Sequence, residues 1–372
     1  MRAMSITRPL LGAVVALSAC APDRALERGT RRPTSGEVGG MHAVPVLTIA
    51  GDSGSGHPEF LGVVDAMRLS TGVIAVADRL RPSILLFDAN GRLIRAVGRR
   101  GSGPSEFESL SWLLRCAGDS IYAFDAELDR MTVMDAAGGV VRHFRLPTPP
   151  FRLSCISGGV LAVLDRPRII ERMDPRGRAI RKYSGNLWLA NAEGDTVGVI
   201  GEFDVGENRP LGRLTSIAIA KERVYVGTAE STTVDVYAFD GRRLSAIDIA
   251  VARREATARH YERAVDRMLE AFTDGGYREQ MKRELLKIPR PDILPPYSDI
   301  VADVEGTLWA VISAPGDTVT QLRVIGADGH VRGDVTFPSG TRVLEVGPDY
   351  VLALEVTDVG EERIVLYEIR VG

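Results

Sequence analysis

The sequence predicts an all-β chain built from a repeated four-stranded sheet, on three observations. Residues 73–107 hold three short apolar runs, 73–77, 84–87 and 93–97, with Asp88-Ala89-Asn90-Gly91 between the last two. Short β-prone runs flanking Asn-Gly signal a hairpin, because the favoured two-residue turns need positive φ and Gly supplies it without a Cβ clash. Residues 46–60, VLTIAGDSGSGHPEF, echo residues 96–107, AVGRRGSGPSEF: a strand, a Gly-rich turn, then Glu-Phe. Units of this kind recur along the chain at the 40–50-residue spacing of propellers and solenoids.

At 372 residues the chain is long enough for two domains or for one repeat-built domain, and its 45% hydrophobic content supplies a sizeable core. The formal net charge of −3 is spread over interspersed acids and bases, with no basic face, which argues against a nucleic-acid partner.

The N-terminus reads as an export signal. Arg2 and Arg8 precede a short apolar run, residues 9–17, that ends in Leu17-Ser18-Ala19-Cys20. The run is too short for a permanent membrane span. Leu-Ser-Ala-Cys resembles the bacterial lipobox, which implies cleavage after residue 19 and acylation of Cys20, hence a lipoprotein tethered to a membrane by several acyl chains. An ordinary secretory signal is the plainer alternative. Ala21 follows in place of an aspartate, which by the enteric sorting pattern favours the outer membrane. Residues 20–43, rich in Arg, Gly, Pro, Ser and Thr without apolar periodicity, read as a flexible tether. The expected location is therefore the cell envelope, with the body of the chain facing the periplasm or the cell surface.

From residue 44 to 372 the units follow one another. They fall near 58–98, 109–147, 151–203, 213–250, 297–337 and 341–371. Three strands, read as penultimate in their units, end alike, in Ala77-Asp78, Phe124-Asp125 and Leu164-Asp165. Turns of the Asp88–Gly91 kind recur at 135–138, 174–177 and 191–194, and in shorter form at 240–241 and 327–329. The third unit holds two consecutive hairpins and reads as an enlarged blade. The last has three strands, 343–346, 351–356 and 364–369, and lacks a fourth. The strand at 45–50 lacks its first three. Sharing one blade between the two ends closes the ring and removes the open edge. The fold expected is a six-bladed β-propeller closed by the N-terminal strand.

The stretch VADRLRPSILLFDANGRLIRAVG resembles an NHL-type blade, and the GSGPSEF that follows resembles the Gly-x-Gly-Pro-x-Glu-Phe junction of bacterial six-bladed β-propeller lipoproteins, a TolB-like architecture. Leu294-Pro295-Pro296-Tyr297 with Gly306-Thr307-Leu308-Trp309 resembles a later junction of the same family. The resemblance implies the six-bladed ring but no agreed activity, and so carries over no catalytic residue.

One segment breaks the β pattern. In residues 253–288, Tyr261, Val265, Met268, Leu269 and Phe272 share a helical face. Gly275-Gly276 is expected to stop that helix, with a shorter one over Met281, Leu285 and Ile288. This helical insertion lies between blades four and five, over one mouth of the ring. A structural cap is favoured over a partner-docking lid, since an apolar stripe usually packs.

Candidate functional residues are few. Cys116 and Cys155 lie near the ends of adjacent innermost strands and form a candidate disulfide in an exported protein, two free thiols being the alternative. His42, His57, His143, His260 and His330 show no metal-ligand spacing, so a histidine zinc site like that of amidating-lyase propellers is not expected. Asp65, Arg68, Arg115, Arg152, Asp299 and Asp303 are candidates to line the central channel. Gly54, Gly56, Glu59 and Phe60, like Gly101, Gly103, Glu106 and Phe107, are read as blade-junction residues: turn glycines, with the phenyl ring in the inter-blade core. Gly-Ser-Gly lacks the Lys-Ser/Thr of a phosphate loop, and no Gly-x-Ser-x-Gly elbow is present. Trp112, Trp188 and Trp309 are expected to pack between blades rather than stack on a sugar.

These readings favour a non-catalytic binding or scaffold module for a peptide, a glycan or a partner protein, with no resident cofactor. The alternative is a metal-dependent hydrolase or lyase of the lactonase type, with Ca²⁺ held by acids converging on the axis.

Overall fold

The computed structural model describes residues 41–371 apart from 52–58, 157, 174–178, 208 and 271–274. The expected signal peptide, Cys20, most of the tether and the turn at 174–177 lie outside the described residues, as do Gly54, Gly56 and Phe272.

The described residues open with β1 (Met41–Ala50), so residues 41–43, read above as tether, already belong to the ring. Blade one is β2 (Val63–Arg68), β3 (Ile74–Asp78), β4 (Ser83–Phe87) and β5 (Leu93–Val97), antiparallel in that order. Blade two repeats it with β6 (Leu110–Arg115), β7 (Ile121–Asp125), β8 (Arg130–Met134) and β9 (Val140–Phe144). Blade three comprises β10 (Pro150–Cys155), β11 (Leu161–Asp165), β12 (Arg168–Met173), β13 (Ala179–Ala190) and β14 (Thr196–Gly206). There β13 pairs along one edge with β11 and then β12, and along the other with β14. The blade is thus enlarged because its second and third layers run on as a long hairpin. Blade four is β15 (Ser216–Ala220), β16 (Arg223–Gly227), β17 (Thr233–Ala238) and β18 (Arg243–Asp248).

Two helices follow, α1 (Ala258–Leu269) and α2 (Gly275–Leu285). Blade five is β19 (Asp299–Ala302), β20 (Leu308–Val311), β21 (Val319–Ile325) and β22 (Val331–Pro338). Blade six is β23 (Arg342–Val346), β24 (Tyr350–Val356) and β25 (Glu362–Val371), with β1 as its outermost strand. That pairing runs antiparallel from Met41↔Val371 to Ala50↔Arg363, with a bulge between Pro45 and Leu47. Proline has no N–H to give a ladder, so a bulge is where a strand tolerates it. The ring is a six-bladed β-propeller closed by its first strand.

The core is divided into six wedges, one between each pair of neighbouring blades. Phe107 is fully buried in the wedge of blades one and two. It sits there because Gly98, at φ 94°, has no side chain: a Cβ on Gly98 would lie 2.6 Å from the phenyl ring. The Gly-rich junction before it is held by Glu106. Its carboxylate accepts the N–H of Gly103 at 2.9 Å and pairs with Arg99 at 2.7 Å, while Arg130 reaches back to the carbonyl of Glu106 at 2.6 Å.

The aspartates that end the second strands act as staples. Asp125, fully buried, accepts the N–H groups of Glu108 and Ser109 from the incoming junction on one oxygen, and those of Glu127 and Leu128 from the next turn on the other. Asp78 holds Leu61, Leu80 and Arg81 in the same way, and Asp165 holds Asn186.

The outer hairpins differ from the two-residue turn expected at Asn90-Gly91. Only Gly91 has positive φ, at 79°, and the carbonyl of Asp88 accepts its N–H. The Asp88 carboxylate accepts the N–H groups of Asn90 and Arg92. This is a turn closed by a left-handed glycine with a bulge, in which the aspartate side chain replaces the second positive-φ residue. Asp135 with Gly138 and Asn191 with Gly194 repeat it.

In the insertion, Thr257 caps α1: its hydroxyl accepts the N–H of His260, and His260 Nδ1 accepts that of Thr257. Gly275 and Gly276 begin α2 instead of ending α1. First-turn amides have no intrahelical acceptor to lose, so glycine there costs less than inside a helix. Tyr261, Ala264, Val265 and Leu269 pack with Leu285, Leu211 and Leu294, and the Tyr261 hydroxyl donates to the carbonyls of Leu285 and Ile288. Among the described residues the apolar stripe is therefore covered from within, with Met268 partly buried at the cavity wall.

Candidate functional site: the axial cavity

The innermost strands β2, β6, β10, β15, β19 and β23 stand next to one another round the axis. They enclose a cavity of about 1530 Å³, with Ala264, Arg267 and Met268 of α1 contributing to its lining. Four of these strands carry a bulge near their start, and the residue after it is Asp65, Trp112, Arg152 and Glu345 in blades one, two, three and six. A bulge re-aims the side chain that follows it, and all four residues line the cavity.

The two acids are engaged in joining blades. Asp65 accepts the N–H of Leu113 across the blade junction at 3.1 Å and that of Ala66 at 3.0 Å. Burial pushes its carboxyl up to about 7, against the pull of those N–H groups and of Arg342. Glu345 accepts the N–H of Arg68 at 2.6 Å and the hydroxyl of Tyr350 at 3.1 Å, and lies 3.5 Å from Arg115. Burial pushes this carboxyl up to about 7 as well, with Arg115 opposing. Burial and the Glu345 charge raise the Tyr350 phenol above its ordinary range.

The arginines are held in different ways. Arg342 donates to the carbonyls of Val63 and Val64 at 2.6 and 3.1 Å. Arg115 donates to the carbonyl of Arg68 at 3.1 Å. Arg68 is not part of the lining; its guanidinium lies 4.9 Å from the centre of the Tyr350 ring. Arg152 lines the cavity with its Nε buried and, among the described residues, without a hydrogen-bond partner.

Of the other expected channel residues, Asp299 lines the cavity and accepts the N–H of Ile300. Asp303 reaches the lining only as part of a turn: its carboxylate accepts the N–H groups of Glu305 and Thr307 and is buried. Trp309 and Trp188 are buried between blades, whereas Trp112 is half-buried at the wall and packs against Phe124 at 5.7 Å. Glu345, Arg342 and Tyr350 are site residues that the sequence reading did not single out. Glu345 was within reach of a strand-by-strand alignment of blades one and six, where it takes the place of Asp65.

Cys116 and Cys155 are joined by a disulfide, with Cα atoms 5.6 Å apart. It ties the ends of the innermost strands of blades two and three together beside the cavity. Among the described residues no group of three or more His, Cys, Asp or Glu stands close enough to hold a metal ion. His260 is engaged in capping α1, and its Nε2 lies 3.1 Å from Asp317.

Residues 59–158, from the end of the first junction to the loop after β10, match the model of the six-bladed β-propeller family DUF5128. Among solved structures, a member of the DUF4221 family from Bacteroides vulgatus aligns over 90% of this chain and 100% of its own, at 13% identity and a TM-score of 0.53. A protein described as exported, from Bacteroides fragilis, aligns over 89% of this chain and 95% of its own, at 10% identity and a TM-score of 0.50. At these identities the likeness is one of fold. No curated protein matches the chain.

Proposed function

We propose that the chain is an exported, lipid-anchored β-propeller of the cell envelope that binds its ligand, a peptide, a glycan or a partner protein, in the axial cavity without transforming it. The observation that carries this reading is how the cavity acids are used. Asp65 and Glu345 accept backbone N–H groups from neighbouring blades, and Asp303 is consumed by its own turn. An acid engaged in this way is a staple of the scaffold, which leaves a large cavity of mixed apolar and polar lining with arginine and tryptophan on its wall. The disulfide fits an oxidising compartment, and the Leu-Ser-Ala-Cys leader supports acylation of Cys20, with the outer membrane as the destination.

One observation favours the second reading, a metal-dependent hydrolase or lyase of the lactonase type. Asp65 and Glu345 both have carboxyls raised to about 7, the range of a general base. The two readings separate in one preparation. The mature chain, purified without chelator, is measured for bound metal, for native mass and for turnover of lactones and esters. A metal-free chain with a co-purifying mass and no turnover supports binding. Stoichiometric Ca²⁺ with turnover that Glu345→Gln abolishes overturns it. The anchor is tested separately: Cys20→Ser moves the chain from the membrane to the soluble fraction if Cys20 is acylated, and leaves it in place if it is not.

A further inference from the structure

Arg152 and Trp112 set one side of the cavity apart. Each is the residue after the bulge in its innermost strand, β10 and β6, and these strands belong to adjacent blades. The Cys116–Cys155 disulfide fastens the same two strands a few residues further along. Both residues line the cavity. The corresponding positions of blades one and six carry Asp65 and Glu345, whose carboxylates are occupied by backbone N–H groups, that of Asp65 by Leu113 next to Trp112.

The arginines round the wall differ in one respect. Arg115 has Glu345 and a carbonyl, Arg342 has two carbonyls, Arg213 has Asp204 at 2.9 Å, and Arg209 has Glu207 at 2.7 Å. Arg152 and Arg267 have neither an ion pair nor a side-chain hydrogen bond among the described residues; Arg267 is exposed on α1, whereas Arg152 is half-buried in the wall with its Nε enclosed. Its guanidinium lies 5.3 Å from the centre of the Phe151 ring, which holds the plane without using its donors. With no protein acceptor among the described residues, the terminal Nη groups of Arg152 are free to pair with an arriving anion. Beside it Trp112 presents a half-buried indole, a surface that takes the apolar face of a ring.

We propose that the Arg152–Trp112 wall is a subsite for an acidic saccharide, with a carboxylate or phosphate substituent on the Arg152 guanidinium and the sugar ring against Trp112. The inference rests on the binding reading above and specifies its ligand class. A planar five-donor fork suits either anion, so the substituent is left to the experiment. A cavity of about 1530 Å³ exceeds what one small molecule fills, which fits an oligosaccharide better than a single ring.

The test is calorimetric titration of the oxidised mature chain with trigalacturonate, with a phosphorylated maltotriose, with maltotriose itself and with triglutamate. Trigalacturonate or the phosphorylated sugar is expected to bind at least about tenfold more tightly than maltotriose, with the preferred one naming the substituent. Arg152→Gln is expected to remove that preference while leaving the melting temperature and the disulfide unchanged. Trp112→Leu weakens the acidic and neutral sugars alike. Equal affinity for acidic and neutral sugars overturns the proposal, as does an Arg152→Gln variant with wild-type affinity. Binding of triglutamate in preference to every sugar overturns the saccharide class but leaves the binding reading standing. Absence of heat with all four probes overturns the proposal too, and the binding reading then rests on the co-purifying mass alone.

Discussion

Glu345 accepts the backbone N–H of Arg68 at 2.6 Å, so a carboxylate from the last blade is hydrogen-bonded to the innermost strand of the first. Asp65 repeats the relationship one blade on, at the N–H of Leu113. Both carboxyls are held near 7 by burial, and this gives stability an unusual pH dependence. In the unfolded chain these groups ionise near 4. Between about 4 and 7 the unfolded state loses its protons first, so the contribution of the two groups falls as pH rises. Urea melts at pH 5 and pH 8 should show that Asp65→Asn with Glu345→Gln costs more at the lower pH, or gains at the higher. A gap between wild type and variant that is independent of pH would mean that neither carboxyl is raised.

The staple at Asp125 predicts a graded series. Asp125→Ala leaves four backbone N–H groups without their acceptor in a buried site, at a cost of about 2–4 kcal/mol. Asp125→Asn keeps one carbonyl oxygen and turns a donor toward donors, so it should also destabilise, by less. Chemical denaturation of the two variants checks the order; an alanine variant as stable as the wild type would remove the staple.

Gly98 and Phe107 form a second test. Gly98→Ala places a Cβ 2.6 Å from the Phe107 ring at a φ of 94°, so backbone strain and a clash coincide, at a cost of roughly 2–3 kcal/mol. Phe107→Ala opens a cavity in the wedge, costing about 3–5 kcal/mol. In the double variant the clash has nothing to strike, so its cost falls short of the sum of the singles. Additive costs would show that the ring does not set the need for glycine.

The disulfide spans 39 residues and closes a loop that contains most of blade two. The loop-entropy model assigns such a closure about 2–4 kcal/mol. Cys116→Ser with Cys155→Ser should lower the denaturation midpoint accordingly, and dithiothreitol should do the same to the wild type but not to the variant.

The ring was legible because its punctuation is local. Asp or Asn followed three residues later by Gly marks the outer hairpins, and Asp78, Asp125 and Asp165 mark the ends of second strands; both signals lie within a few residues of the strands that they delimit. The helix signals were half legible. The Tyr261–Leu269 stripe marks α1, but Gly275-Gly276 reads the same whether it ends one helix or begins the next. The cavity was the least legible part. A bulge is a matter of register against a partner strand, so nothing local marks the residue that follows it. Arg115 meets Glu345 only because the ring closes. Blade six borrows its fourth strand and has no outer Asp–Gly hairpin, so only its inner strands offer the alignment that sets Glu345 against Asp65.

Pairing β1 with β25 also sets an order of events. A chain made and moved vectorially presents Met41–Ala50 well before Glu362–Val371. Until β25 is made, β1 has no partner strand for that edge, and five blades lie between the two in sequence. The final seam is therefore a check of completeness. A product that lacks either strand remains an open ring with an unsatisfied edge, the kind of species that proteases and aggregation remove. Only a chain that carries both strands can lock.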